Sequence, residues 1–142
     1  MEGEPGCMTP ATGVLAAPPD ARLDEDQLHL LSLLDRHGVQ HVVLGAAPAA
    51  VCVVPAPYAR NLDRAAAAVR ELGAELPVDP LRSPEPHVFR LTTGRGELQL
   101  ANAAPDGRRY GELLLDTVPR EVRPGLTVEV SVPEAGAPAR AD

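Results

Sequence analysis

The chain has 142 residues, a formal net charge of −7 at pH 7, one Phe, two Tyr and no Trp. This length is typical of one domain, and its core must be built from Leu, Val and Ala. The acidic balance argues against binding of nucleic-acid phosphates. All 13 basic residues are Arg, so no Lys is available as a phosphate ligand or Schiff base.

The cysteines and the N-terminal residues argue for a cytoplasmic protein. Cys7 and Cys52 are the only cysteines; we expect neither a disulfide between them nor a zinc site. Glu2 and Glu4 stand where a secretory signal would carry basic residues. Prolines interrupt the long uncharged stretch at residues 42–59, so its apolar runs are strand-sized and do not predict a membrane helix.

Both ends of the chain lack hydrophobic periodicity. Residues 1–22 and 133–142 are rich in Pro, Gly and Ala, and they hold few side chains that could offset the entropic cost of ordering. The composition therefore predicts a disordered leader at 1–22, one domain at 23–132 and a disordered tail at 133–142.

The domain begins with a helix and a buried strand. Asp24 and Gln27 have the spacing of a capping box, and Gly38 stands where a helix C′ glycine is expected. Between them lies a helical stripe of leucines: Leu28, Leu30, Leu31 and Leu34. The continuous apolar run at residues 39–44 then predicts a strand buried on both faces.

A second strand and the clearest helix follow. Residues 51–54 form a short apolar run that Pro55 ends. Asn61 is predicted to be the N-cap of the next helix, and Gly73 to close it. The apolar face of this helix consists of Leu62, Ala65, Ala66, Val69 and Leu72.

The last third of the domain is predicted to consist of strands and one short helix. Residues 87–92 and 96–102 predict a hairpin, residues 110–115 a helix, and residues 126–132 an alternating strand. These elements together predict an α/β fold of the α+β type, in which helices flank a mixed sheet.

Several different local motifs follow one another in order along the domain. They are His37-Gly38-Val39, Leu44-Gly45-Ala46, Val54-Pro55-Ala56-Pro57, Arg60-Asn61-Leu62 and Gly96-Glu97-Leu98-Gln99-Leu100. The series, over residues 23–132, resembles the small bacterial nucleotidyltransferases of the polymerase-beta superfamily. The resemblance implies a mixed sheet with flanking helices, and phosphoryl transfer by two metal ions that carboxylates hold.

The chain departs from that family at the metal site. The resemblance places a pair of acids at Ala50 and Cys52 and a third acid at Gln99, and none of these residues is a carboxylate. We predict that Gln99 lies in a strand near Cys52. Glu97, beside Gln99, is predicted to point to the opposite face.

The glycine-containing loop of the family is also changed. The resemblance implies a small polar residue after Gly45, where this chain has Ala46, and a longer segment before the acids. In α/β proteins the loop after such a strand commonly binds ligands. Here residues 45–50 contain no charge, hydroxyl or imidazole.

These departures predict a degenerate domain. Mg²⁺ requires hard oxygen ligands, mainly carboxylates and substrate phosphates. We therefore expect a non-catalytic binding or protein-interaction module with a protein partner, without a cofactor and with weak or no nucleotide binding. The alternative is an active Mg²⁺-dependent nucleotidyltransferase whose acids are relocated to Asp79, Glu85 or Asp106. A regulatory α/β domain without a family tie also stays open.

Overall fold

A mixed β-sheet forms the centre of the part of the chain that the computed structural model describes, residues 6–10, 23–47 and 49–131. Seven strands and four helices lie within these residues. In chain order they are β1 (Gly6–Pro10), α1 (Glu25–Arg36), β2 (His41–Ala47), β3 (Ala50–Pro55), α2 (Ala59–Glu71), α3 (Val78–Leu81), β4 (His87–Thr93), β5 (Gly96–Ala101), α4 (Tyr110–Leu114), β6 (Thr117–Arg123) and β7 (Leu126–Ser131).

The strand order across the sheet is β1-β4-β5-β3-β2-β7-β6. The pairs β3–β5 and β2–β7 are parallel, whereas the other neighbours are antiparallel. This arrangement confirms the predicted α+β class and the mixed sheet with flanking helices.

The two faces of the sheet carry separate apolar clusters. The larger cluster packs leucines of α1 and the apolar side of α2 against Val51, Val53, Leu98 and Leu100 of the central strands. The smaller cluster lies on the opposite face, where α4 contributes Tyr110 and Leu113. Alternation along β3 explains this division, because successive side chains of a strand point to opposite faces.

The predicted capping box of α1 is confirmed, and one of its residues also fixes the neighbouring turn. The amide of Gln27 donates to Asp24 Oδ1 and the amide of Asp24 donates to Gln27 Oε1, both at 2.8 Å. Gln27 Nε2 also donates to the carbonyl oxygens of Ala47 at 2.6 Å and Ala50 at 2.9 Å. Gln27 therefore attaches the start of α1 to the β2–β3 turn.

The prediction that Asn61 caps α2 is wrong. The N-cap is Tyr58, and Asn61 lies inside the first turn with its side chain buried. Its Oδ1 accepts from the amide of Gln40 at 2.7 Å, and its Nδ2 donates to the carbonyl oxygens of Gln40 at 3.0 Å and Ala56 at 2.9 Å. A buried amide with three such partners connects three segments of the domain.

The structure also differs from the prediction at five residues of the leader. Gly6–Pro10 forms β1, which pairs antiparallel with β4 from Gly6 opposite Leu91 to Pro10 opposite His87. An edge strand satisfies the backbone groups of its neighbour, and this does not require apolar side chains. The remainder of the leader and the predicted tail lie outside the described residues.

β6 is a strand for which the sequence gives no pattern. It pairs antiparallel with β7 and forms the outer edge of the sheet opposite β1. Most of its side chains are exposed, and it contains Pro119 and charged residues. Edge strands commonly carry Pro and charge because these residues discourage pairing with other chains.

Gly96 is required where β5 begins beside the β2–β3 turn. Its φ is +99°, and an added Cβ would lie 2.6 Å from the carbonyl oxygen of Ala49. We expect Gly96→Ala to lower the free energy of unfolding by about 1–3 kcal/mol, measured by urea denaturation. Gly94→Ala, in the same hairpin and with nothing within 4 Å of an added Cβ, is the control. Equal losses for the two variants would contradict this explanation.

Candidate functional site

The strand register brings three of the sequence-predicted site residues side by side. Gly45 pairs with Cys52 across β2 and β3, and Cys52 pairs with Gln99 across β3 and β5. Two residues earlier in β3, Ala50 pairs with Glu97. The prediction that Gln99 lies in a strand near Cys52 is therefore confirmed. We call Ala50, Cys52 and Gln99 the degenerate triad.

Ala46 does not join this group. It pairs with Val51 and packs against the helix-covered cluster, so it lies on the other face of the sheet. The register shifts between Val43 and Gly45, which places Gly45 opposite Cys52. The turn that follows is tight, because Ala47 already pairs with Ala50.

The degenerate triad is closed to solvent. Cys52 is 0% exposed, Gln99 2% and Ala50 9%. Their side chains present a thiol, a carboxamide and a methyl group, and a carboxylate stands at none of the three positions. Gln99 Nε2 donates to Glu97 Oε2 at 3.3 Å. The face on which family carboxylates would stand is thus a packed interior surface.

The prediction for Glu97 is wrong, because its side chain lies on the same face as Gln99. Residues two apart in a strand share a face, and the hydrogen bond between the two side chains shows this directly. Glu97 Oε2 also lies 3.5 Å from Arg90 Nη1. The acid nearest to the degenerate triad is therefore paired with a guanidinium from the neighbouring strand, β4.

The acids considered as relocated ligands are exposed and separate. Asp79 lies in α3, whereas Glu85 and Asp106 lie in loops. Asp106 Oδ2 forms an ion pair with Arg108 Nε at 2.9 Å. Within residues 6–10, 23–47 and 49–131, no group of three or more His, Cys, Asp or Glu residues is arranged to hold a metal ion.

A cavity of about 350 Å³ lies where β3 and β5 end, which we call the carboxyl-end cavity. Ligands of α/β proteins often bind at this edge of parallel strands. The lining residue Arg109, however, donates to the backbone carbonyls of Ser83, Pro84 and Asn102. The side chain of Asn102 likewise holds the loop at residues 80–85. Arg109 and Asn102 therefore support the loop, so their donors are not available to a ligand.

A second cavity of about 440 Å³ lies at the amino ends of the parallel pair β2 and β7, and we call it the amino-end cavity. The lining residues with polar or aromatic side chains include Asp35, His41, Tyr58, Tyr110 and Glu129. The rings of Tyr58 and Tyr110 meet edge to face, with centroids 6.4 Å apart and planes at 81°. Five parts of the fold supply these side chains, namely α1, β2, the N-cap of α2, α4 and β7.

His41 is the least satisfied polar group of the amino-end cavity. Its Nδ1 lies 3.0 Å from the carbonyl oxygen of Val39, and because a carbonyl only accepts, Nδ1 carries the proton. Nε2 is then a bare acceptor; it is buried and has no hydrogen-bond partner in the described part of the chain. Burial lowers the pKa of His41, although the Val39 contact and Asp35 oppose this shift. The imidazole is thus held neutral.

Sequence reasoning did not find the amino-end cavity. His41 begins a strand, and nothing in its local sequence distinguishes it from the other histidines. The tyrosines lie before α2 and in α4, and Glu129 occupies the polar side of an alternating strand. Only the packing of these elements brings their side chains together, so no motif of fixed spacing was available.

Comparisons with protein-family models, curated proteins and solved structures find no match to this chain. Among residues 6–10, 23–47 and 49–131, none of the helices combines the length and apolar character needed to cross a lipid bilayer. No relative supplies an activity for this domain, so its function must follow from the residues at its two faces and in its cavities.

Proposed function

We propose that this domain is a non-catalytic binding or protein-interaction module, built on a nucleotidyltransferase-like fold that has lost its metal-binding carboxylates. The observation that carries this proposal is the register of Ala50, Cys52 and Gln99. The three positions at which the resemblance expects acids lie next to one another on one face, and no carboxylate occupies any of them.

The electrostatics of the degenerate triad support the loss of catalysis. Phosphoryl transfer requires metal ions and cationic groups to balance the charge of the transferred phosphate. A methyl group, a thiol and a carboxamide contribute no negative charge for Mg²⁺. Glu97 is an acid beside the triad, and Arg90 Nη1, 3.5 Å from its Oε2, compensates its charge.

Burial of the same residues supports the proposal independently. A substrate must reach the metal-binding face, but Cys52 and Gln99 are almost completely closed to solvent. The tight β2–β3 turn, held by Gln27 through two backbone carbonyls, offers no extended loop to surround a phosphate. A nucleoside triphosphate would therefore have neither a bound metal ion nor a loop that surrounds its phosphates.

Exposed apolar side chains support the binding half of the proposal. Tyr58 is 60% exposed, Leu114 40% and Leu115 83%, and Tyr58 and Leu114 both line the amino-end cavity. Large exposed side chains that cluster beside a cavity are typical of surfaces that bind another protein. We therefore expect the partner to be a protein.

The test is a search for nucleotide binding and transfer by the full chain. We expect no heat of binding with Mg²⁺ and ATP, GTP, CTP or UTP in calorimetry. We also expect no transfer of an α-labelled nucleotide to protein, RNA or a small molecule. Turnover of any of these nucleotides that Asp79→Asn, Glu85→Gln or Asp106→Asn abolishes would overturn the proposal and establish relocated acids instead.

A further inference from the structure

We propose that the amino-end cavity receives a basic side chain, most suitably arginine, from a partner protein segment in which apolar residues flank it. This inference rests on the proposed function as a binding module. Three features carry it: two carboxylates in the cavity lining, the unsatisfied nitrogen of His41, and an apolar rim formed by the exposed side chains of Tyr58, Leu114 and Leu115.

The charged side chains that line the cavity are carboxylates. Asp35 and Glu129 both line it, and no Arg is among its lining residues. Within the described residues neither carboxylate forms an ion pair, and Glu129 Oε1 accepts one hydrogen bond, from Thr117 Oγ1 at 2.8 Å. Burial raises the pKa of Tyr110, with Tyr58 and Glu129 as further causes, so these groups interact. A cation is the ligand that such a lining favours.

His41 adds an acceptor that lacks a donor. Because Nδ1 is turned to Val39, Nε2 can only accept, and a buried acceptor without a partner is unfavourable. An incoming N–H group would remove this penalty. Nε2 is closed to water, so the donor has to arrive on a side chain that displaces part of the wall. Tyr58 and Leu114, which line the cavity, are 60% and 40% exposed, so packing does not enclose either side chain.

The aromatic groups and the size of the cavity favour arginine. A guanidinium has five donors in one plane and stacks on aromatic rings, which suits a site with carboxylates, an imidazole and two tyrosines. The ring centroids of Tyr58 and Tyr110 lie 6.4 Å apart. The cavity volume, about 440 Å³, lies within the range of roughly 300–1,000 Å³ that is usual for ligand pockets.

The apolar rim distinguishes a protein segment from a free cation. Tyr58, Leu114 and Leu115 are exposed at or beside the cavity, and a small cation would leave this surface in contact with water. Apolar residues on either side of the arginine would cover it. The combination of a buried charge contact and an apolar surround is typical of protein interfaces.

Two synthetic peptides test the proposal on the full chain. The first is N-acetyl-Leu-Arg-Leu-amide; the second replaces arginine by citrulline, which has almost the same shape but no charge. We expect NMR titration with the arginine peptide to shift the resonances of His41, Tyr58 and Tyr110. We expect the affinity of the citrulline peptide to be lower than that of the arginine peptide by about tenfold or more.

Variants locate the contact. The double variant Asp35→Asn with Glu129→Gln is expected to weaken binding of the arginine peptide by about tenfold or more. Asp63→Asn, an exposed acid on α2 that does not line the cavity, is the matched control and should bind as the unmodified protein does. The shift map of the unmodified protein provides the same information if the double variant fails to fold.

Three results would overturn the proposal. These are equal affinities for the two peptides, an arginine-peptide shift map that omits the amino-end cavity, and binding of free arginine amide as tight as that of the peptide. The third result would assign the site to a small cation. Each leaves the proposed function intact, because that proposal fails only through nucleotide turnover.

Discussion

Asn61→Ala is expected to lower the free energy of unfolding by about 2–4 kcal/mol. The substitution removes hydrogen bonds of 2.7, 3.0 and 2.9 Å to the amide and carbonyl of Gln40 and the carbonyl of Ala56. The groups of Gln40 lie between α1 and β2 and that of Ala56 between β3 and α2, and the buried bond to Ala56 is the one that water replaces least. Urea denaturation followed by circular dichroism measures the change.

Asp63→Ala is the matched control for this experiment. Asp63 lies two residues later in the same helix, but its side chain is exposed. Its replacement is expected to change the free energy of unfolding by less than about 0.5 kcal/mol. Similar effects of the two substitutions would show that the buried network around Asn61 contributes little.

Asn61 also illustrates why a correct local signal can lead to a wrong assignment. An Asn just before an amphipathic stretch is typical of an N-cap. Here the helix starts two residues earlier, and the side chain satisfies backbone groups of a segment 21 residues away. The sequence around Asn61 does not indicate that its side chain will bind backbone groups so far away in the chain. By contrast, both partners of the capping box of α1 lie within four residues, and its prediction is confirmed.

Burial decided which strands could be predicted. β5 and β7 alternate, and β2 and β3 are nearly continuously apolar, because these strands cover a core, so their patterns identify them. β1 and β6 lie at the two edges of the sheet and are selected for pairing of their backbone groups. Proline and charge at an edge remove the alternation on which sequence interpretation depends.

The same distinction holds for the site. Gln99 was placed near Cys52 from the strand periodicities together with the family resemblance, and the parallel pairing of β3 and β5 confirms that placement. The pairing of Glu97 with Arg90 depends on a third strand, β4. The amino-end cavity requires five parts of the fold to pack before its polar groups meet. No spacing in the sequence encodes either feature.

The triple variant Ala50→Asp, Cys52→Asp and Gln99→Asp is expected to be unfolded without divalent cations. All three positions are buried. An uncompensated buried charge costs about 3–5 kcal/mol, and a domain has about 5–15 kcal/mol of stability in total. Thermal melting followed by circular dichroism should therefore show no cooperative transition. The single variant Cys52→Asp, with a loss of about 3 kcal/mol, tests the same effect within a folded protein.

Asparagine separates charge from size in this experiment. The variant Ala50→Asn with Cys52→Asn, which keeps Gln99, introduces side chains of the same volume without charge. We expect it to melt cooperatively at a temperature below that of the unmodified protein, whereas the acidic variant shows no cooperative transition. Equal melting of the acidic and the amide variants would show that steric crowding, not charge, dominates at the degenerate triad.

Added Mg²⁺ or Mn²⁺ should restore a melting transition to the acidic variant and should not change the melting of the amide variant. The three carboxylates share one face, and a cation that binds them stabilises the folded state. Nucleotide transfer should not return. The β2–β3 turn stays tight, with Ala47 paired to Ala50 and both carbonyls bound by Gln27, so the triphosphate still lacks a binding loop. Transfer of an α-labelled nucleotide by the metal-loaded variant would show that the carboxylates were the only missing component.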